Sequence, residues 1–246
     1  MKIDCHILKA NATGREAGHF AHYVIEAAPN DTVLDVLTIV YQQYEPDLAF
    51  RFACGVARCG ECGLLVNGQP CLACDRIVEP ELRIEPLGNM PVIRDTVVNR
   101  RHVFDQIERI LPKGQTVDDM SDYEDDAGHE KIENSIRLTT CYECMICQSV
   151  CPRYLAGSDM FAGPLGLLFL AQRQENPAAA SVPEDKVKEI TYFCAHCGKC
   201  MKYCPAERKP LTLALNLLGC KTGEYYRVNL TENGPVVQKQ KEEATV

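Results

Sequence analysis

The sequence has no apolar run long enough to cross a bilayer. Its longest nearly uncharged stretch, Ala162 to Ala171, is ten residues with two glycines and a proline, against the ~20 apolar residues that a spanning helix needs. Positive charge is also in short supply: the formal net charge is −8, which argues against a polyanionic partner such as nucleic acid. The opening MKIDCHILKA has one early lysine but no continuous apolar core and no small-residue cleavage site, so no secretory signal is visible and a cytoplasmic location is expected.

Cysteine, by contrast, is abundant. The 246 residues include 15 cysteines, and a disulfide framework is the ordinary reading of a cysteine-rich chain. That reading suits small secreted domains. Here the chain is long, the count is odd, and twelve of the fifteen fall into three tight groups, a pattern that points to metal ligation instead.

The apolar pattern predicts an N-terminal half of strands around one helix. Residues 2–8 and Tyr23–Ile25 read as two strands joined across the Gly14–Gly18 region. Asp31 or Thr32 can cap a helix with apolar positions Val33, Leu34, Val36, Leu37 and Val40, ended by Pro46. Leu64–Val66, Arg76–Val78 and Leu82–Ile84 then read as short strands, separated by Asn67-Gly68 and Pro80. A connecting helix over residues 96–111 is stopped by Pro112. Between Asp118 and Glu130 there are seven acidic residues and no Lys or Arg, the composition of a solvated linker. Beyond Lys131 strand signals fade, and apolar runs such as Leu165–Ala171 and Leu211–Leu218 lie between cysteine groups, so this half is expected to be helical. The expected organisation is a first domain over 1–112, a linker over 113–130, a helical domain over 131–232 and a mobile polar tail over 233–246.

The first cysteine group is Cys54-x4-Cys59-x2-Cys62 followed by Cys74, interleaved with Gly55, Gly60 and Gly63. This is plant-type ferredoxin spacing for a 2Fe-2S cluster. Four thiolates must converge on two irons from one loop and a returning strand, and glycines let backbone amides approach the sulfurs. The second group, Cys141-x2-Cys144-x2-Cys147-x3-Cys151-Pro152, and the third, Cys194-x2-Cys197-x2-Cys200-x3-Cys204-Pro205, both match the bacterial ferredoxin run. In two-cluster ferredoxins the fourth cysteine of each run serves the other cluster. The spacing therefore implies one set of Cys141, Cys144, Cys147 and Cys204, and another of Cys151, Cys194, Cys197 and Cys200. Zinc would explain a pair of Cys-x2-Cys motifs but not two complete runs with the Cys-Pro ending. A thioredoxin-like dithiol fits less well, because each pair is embedded in a longer run. Of the three left over, Cys5 and Cys220 sit in apolar stretches and read as buried structural thiols, while Cys71, three residues before Cys74, reads as a bystander near the first cluster. His196, inside the third run, reads as a loop histidine with a hydrogen-bonding role rather than as a ligand.

Taken together, these motifs resemble the iron-sulfur subunit of succinate dehydrogenases and fumarate reductases over roughly residues 2 to 220. The resemblance rests on Cys54-Gly-Val-Ala-Arg-Cys-Gly-Glu-Cys-Gly-Leu-Leu-Val-Asn-Gly with Leu72-Ala73-Cys74, on Pro86-Leu87 and Pro91-Val92-Ile93-Arg94-Asp95, and on Cys151-Pro152 followed by Gly163-Pro164. It implies an α+β chain: an N-terminal plant-type 2Fe-2S ferredoxin domain of β-grasp fold, then a C-terminal all-α bacterial-type ferredoxin domain. It also implies a 2Fe-2S cluster, a 4Fe-4S cluster and a third cluster, relaying electrons between a covalent-FAD flavoprotein subunit and a membrane anchor or cysteine-rich membrane-associated subunit, with quinone at that interface. The chain would then sit peripherally on the inner face of the cell membrane, as part of a complex, and carry no substrate site of its own.

Two departures from the familiar members bear on the third cluster. There the third cluster is usually 3Fe-4S, with a non-cysteine at the position of Cys197. A thiolate at Cys197 can hold a fourth iron, so the expectation is a third 4Fe-4S cluster, with 3Fe-4S as the alternative. Quinone-reducing members often have a tryptophan after the Cys-Pro and a histidine after the cysteine matching Cys194, whereas this chain has no tryptophan and has Ala195. A ferredoxin-like subunit of another flavoenzyme, of heterodisulfide or glycolate oxidoreductase type, is the competing reading.

Overall fold

The computed structural model describes residues 1–12, 14–113, 126–176, 178–220, 224–231 and 234–241. The chain folds into two units. The first comprises Met1–Phe104 with Tyr142–Val150, and the second Asp105–Cys141 with Cys151–Val246. The second cysteine run is thus divided, with Cys144 and Cys147 in the first unit and Cys141 and Cys151 in the second.

The first unit is built on a mixed sheet. Strands β1 (Lys2–Asn11) and β2 (Gly14–Glu26) form an antiparallel pair, followed by helix α1 (Val33–Gln43) and strands β3 (Gly63–Val66), β4 (Gln69–Leu72), β5 (Glu81–Glu85), β6 (Val92–Arg94) and β7 (Val97–Val98). The order is β4-β3-β5-β1-β6-β7, with β2 on β1, and the β1–β5 pairing is parallel. Alternation along the strands puts Ile3, Cys5 and Ile7 of β1, and Leu82 and Ile84 of β5, into the core with no exposed surface. Helix α1 buries Val33, Leu34, Val36, Leu37 and Val40. It starts where expected: the Thr32 side chain accepts from the Asp35 N–H while the Asp35 carboxylate accepts from the Thr32 N–H, a reciprocal capping box.

Local details of this unit differ from the sequence expectations. Gly14–Gly18 is strand rather than turn, and the β1–β2 register runs to Asn11↔Gly14. Gly18 is required there because a Cβ would stand 2.7 Å from the Lys9 carbonyl. Arg76–Val78 is not a strand; only a single bridge pairs Ile77 with Thr32. The true partner of β3 is β4, across Asn67 and Gly68, whose φ values of 50° and 75° are those of a tight hairpin turn. Pro70 hides this strand in the sequence, but β4 is a sheet edge, where a missing N–H is tolerated. The connecting helix begins later than expected: Val97–Val98 is β7, and α2 spans Arg100–Ile110.

The second unit is mostly helical, as expected. It contains α3 (Asp126–Leu138), α5 (Gly163–Glu175), α6 (Glu184–Thr191), α7 (Lys199–Lys202) and α8 (Pro210–Leu217), while the short α4 (Ile146–Val150) belongs to the first unit. Helix α5 is apolar nearly all round and its Leu165, Leu167, Leu168 and Leu170 are all buried, so it forms the centre of this core. Two boundaries need correction. Residues 114–125 of the expected linker lie outside the described residues, but α3 already begins at Asp126, in keeping with the preference for acidic residues at a helix start. The expected polar tail is, over Gly234–Lys241, strand β9, paired antiparallel with β8 (Glu224–Thr231) from Thr231↔Gly234 to Glu224↔Lys241. The β-formers Tyr225, Tyr226, Val228, Val236 and Val237 and the Asn233-Gly234 pair carry that hairpin signal in the sequence; residues 233 and 242–246 lie outside the described residues.

A buried glutamine organises the segment after the second cysteine run. Gln106 has no exposed surface. Its amide nitrogen donates to the carbonyls of Leu155 (3.1 Å), Ser158 (2.7 Å) and Phe161 (3.0 Å), and its oxygen accepts from Tyr154 Oη (3.1 Å) and the Gly157 N–H (3.0 Å). One side chain thereby fixes the loop that connects Cys151 to α5. Gln106→Leu would strand these groups at roughly 1–3 kcal/mol each, so a net destabilisation on the order of 3 kcal/mol or more is expected in urea unfolding, with faster proteolysis within residues 154–161. Gln106→Glu should be no better, since a carboxylate cannot donate to three carbonyls. Wild-type unfolding and proteolysis in both variants would refute the assignment.

Candidate iron-sulfur sites

The loop between α1 and β3 carries Cys54, Cys59 and Cys62, and the turn after β4 returns Cys74 to them. Cys62 Sγ lies 3.4 Å from Cys74 Sγ, and Cys54 and Cys59 close the group through backbone contacts. The N–H groups of Val56 (3.4 Å), Arg58 (3.3 Å) and Cys59 (3.4 Å) donate to Cys54 Sγ, that of Ala57 donates to Cys74 Sγ (3.3 Å), and that of Cys54 to Cys59 Sγ (3.5 Å). Left-handed conformations at Gly55 (φ 68°), Ala57 (φ 54°) and Gly60 (φ 71°) turn these amides inward, making a concavity lined by N–H groups that suits anionic sulfur. The amides of Val56, Arg58 and Cys59 pull the Cys54 thiol down to about 6, while burial pushes Cys62 up to about 12. A coordinated metal deprotonates such thiols outright. Four convergent sulfurs with amides aimed at them fit a 2Fe-2S cluster.

Part of the second run packs on this loop, within the same unit. A Cβ at Gly60 would run into the Tyr142 carbonyl oxygen and lie 2.9 Å from Cys144 Cβ, and one at Gly63 would lie 2.8 Å from the Cys144 carbonyl oxygen. Arg100 fastens the contact, pairing with Glu61 and donating to the Glu143 carbonyl at 2.7 Å. The Gly88 N–H donates to Ser149 Oγ at 2.8 Å, and Asn89 Nδ2 to the Ser149 carbonyl at 3.0 Å. Glu143 and Met145, on either side of Cys144, both have positive φ (50° and 66°). Cys141 and Cys204, expected to complete this set, belong to the second unit.

The third set converges around a cavity within the second unit. Cys151, Cys194, Cys197 and Cys200 all line it, with Pro152, Phe161, Pro164, Leu167 and Leu215 as its apolar wall. Burial, reinforced by neighbouring sulfurs, pushes Cys151 up to about 11 and Cys200 up to about 12. These thiols cannot ionise together in an apolar cavity without a bound cation, so the chemistry of the donor set fits an iron-sulfur cluster.

Sequence reasoning missed one member of this site. Cys220, read as a buried structural thiol, also lines the cavity. Its Sγ, Cys194 Sγ and a ring nitrogen of His196 lie within 4.8 Å of one another. Hydrogen bonding from Cys220 brings Cys194 down to about 7, and the same bond together with burial drives Cys220 far above the ordinary thiol range. No spacing rule announces a cysteine this far beyond the third run. Cys5 in β1 and Cys71 in β4 are both pushed up to about 12 by burial.

Two family models match the chain: a 2Fe-2S iron-sulfur cluster binding domain over residues 4–105 and a 4Fe-4S dicluster domain over residues 137–207. The chain is therefore an iron-sulfur protein of α+β architecture, with a 2Fe-2S ferredoxin domain followed by a 4Fe-4S dicluster domain. Among curated proteins it is 30% identical over 220 residues to a fumarate reductase (CoM/CoB) subunit of Methanothermobacter marburgensis, covering 83% of this chain but 41% of that protein. It is 27% identical over 222 residues to the fumarate reductase iron-sulfur subunit of Escherichia coli O6:H1, covering 85% of this chain and 88% of that one. Among solved structures, a chain of the Mycobacterium smegmatis Sdh1 complex in the apo form shares the fold, with a TM-score of 0.76 over 89% of this chain and 94% of that chain, at 24% identity. The chain is a homologue of fumarate reductase iron-sulfur subunits.

Gly60 offers a direct test of the first site. Gly60→Ala would force a left-handed alanine into the Tyr142 carbonyl, so protein purified anaerobically should lose visible absorbance and roughly two irons, the content of one 2Fe-2S cluster. Gly68→Ala, at a turn with nothing within 4 Å of its would-be Cβ, should cost about 1 kcal/mol of stability and leave the iron content unchanged. Equal iron in the two variants would contradict the packing described.

Proposed function

We propose that this chain is the electron-transfer subunit of a succinate dehydrogenase or fumarate reductase complex. Cys54, Cys59, Cys62 and Cys74 hold a 2Fe-2S cluster; Cys141, Cys144, Cys147 and Cys204 hold a 4Fe-4S cluster; Cys151, Cys194, Cys197 and Cys200 hold a third cluster, of 4Fe-4S type. The observation that carries this reading is the convergence of the Cys54, Cys59, Cys62 and Cys74 sulfurs under inward-turned amides, on a chain homologous over most of its length to fumarate reductase iron-sulfur subunits. The clusters supply one-electron redox chemistry when bound. The chain's own residues position sulfur, aim N–H groups at it and exclude water with apolar walls.

The partners in this reading are a FAD-containing flavoprotein subunit, where succinate and fumarate are interconverted, and a membrane-associated subunit. No described helix is long and apolar enough to cross a membrane, so attachment to the inner face of the cell membrane would come through that second partner. The absence of tryptophan, Ala195 next to Cys194, and the fourth thiol at Cys197 favour a partner on the third-cluster side that is cysteine-rich rather than a quinone site of the usual kind.

The test is anaerobic affinity purification of the chain from its native host. A covalent-FAD subunit should co-purify, the complex should reduce fumarate with a viologen dye, and the chain should hold about ten irons, the sum of one 2Fe-2S and two 4Fe-4S clusters. A colourless chain recovered without a flavoprotein would sink the proposal. Cys197 has its own check: Cys197→Ser should convert the third cluster to a three-iron centre visible by low-temperature EPR when oxidised. A stoichiometric three-iron signal in the wild type would show that Cys197 holds no iron.

A further inference from the structure

Cys220 reaches the third site by a local device of helix α8. Two residues beyond the C-cap Leu218, its N–H donates to the Leu215 carbonyl at 2.8 Å, while the Gly219 N–H donates to the Asn216 carbonyl at 3.1 Å. Gly219 sits at φ 72°. This is a Schellman motif, and the residue in the Cys220 position ordinarily contributes only an apolar contact back onto the helix. Here the motif delivers a thiol, 2% exposed, into a cavity already lined by Cys151, Cys194, Cys197 and Cys200. Its sulfur lies within 4.8 Å of Cys194 Sγ and 4.0 Å from the Leu218 carbonyl, and rotation about the Cβ–Sγ bond turns the single S–H from that carbonyl toward the Cys194 sulfur.

We propose that Cys220 is a fifth thiol of the third cluster site, which binds no iron and donates its S–H to the ligand sulfur of Cys194, raising the reduction potential of the cluster. The inference rests on the reading of Cys194 as an iron ligand. A hydrogen bond to a ligand sulfur draws off negative charge, and the reduced cluster, one electron richer, gains more from it than the oxidised one; the potential rises accordingly. The effect opposes the lowering expected from the extra thiolate at Cys197. One neighbouring group and one alternative metal bear on this assignment. The His196 ring nitrogen shares the same neighbourhood, but it belongs to a half-buried residue, whereas Cys220 is fully buried. Two sulfurs and a ring nitrogen would also suit zinc, yet Cys194 is the first member of a complete four-cysteine run.

The experiment compares wild type with Cys220→Ala, Cys220→Val and Cys220→Ser in the full chain, purified anaerobically with its clusters. Iron and sulfide are counted, zinc is assayed, and the third cluster is titrated by EPR-monitored redox potentiometry. Iron content should be the same in all four proteins. Alanine and valine should shift the third midpoint to lower potential, while serine, which keeps a donor, should stay nearer the wild-type value. Valine retains apolar bulk in the Schellman contact, so a shift shared by alanine and valine but not serine separates donation from packing. Wild-type potential in both apolar variants overturns the proposal. So does loss of one iron on removing Cys220, which would make it a ligand, or stoichiometric zinc that disappears with it. Should Cys194→Ala retain a complete third cluster, the ligand assignment itself fails, and that result is distinct from an unshifted potential in the Cys220 variants.

Discussion

Backbone N–H groups turned toward sulfur constrain the first unit more than any side-chain contact does. To aim the amides of Val56, Ala57, Arg58 and Cys59 at Cys54 and Cys74, the chain must pass through left-handed conformations at Gly55, Ala57 and Gly60. That path leaves Gly60 and Gly63 bare of side chains on one side, and the Tyr142–Cys144 backbone occupies the space. The sheet below serves as a platform: β3 and β4 carry the returning strand that ends at Leu72, two residues before Cys74.

The same economy of local geometry recurs in the second unit, with other means. Gln106 fixes the loop after Cys151 through the two ends of one amide, and α5 then starts at Gly163-Pro164 with proline in its first turn. Both devices set the wall of the third cavity, to which Phe161 and Pro164 contribute. The apolar wall explains why Cys151 and Cys200 resist ionisation on their own, and hence why a cation is needed for these thiols to act as ligands.

Much of this was legible in the sequence, for a physical reason. Cluster ligands come in short runs because one loop must wrap one inorganic core, so the spacing of Cys54, Cys59 and Cys62, and of Cys194, Cys197 and Cys200, is itself the signal. Helix α1 was equally plain, since its cap and its apolar face are contiguous. Features that depend on distant packing were not. Pro70 concealed β4 because tolerance of proline depends on the strand lying at an edge, which only the assembled sheet reveals. Gln106 looked like any polar residue on an amphipathic helix. The β8–β9 hairpin lost out to the charge of its lysines and glutamates, although its turn signal was present.

The Schellman geometry at the end of α8 has a consequence for how this protein can vary. The position after Gly219 asks only for a compact, apolar side chain, and cysteine, alanine and valine all meet that demand. Whether a thiol stands there is therefore nearly silent in folding, while its place is within 4.8 Å of Cys194 Sγ, in the cavity that the third cysteine set lines. On the role proposed for Cys220, such a position lets the redox level of the third site drift or be selected through one codon, leaving the twelve grouped cysteines and the architecture around them untouched.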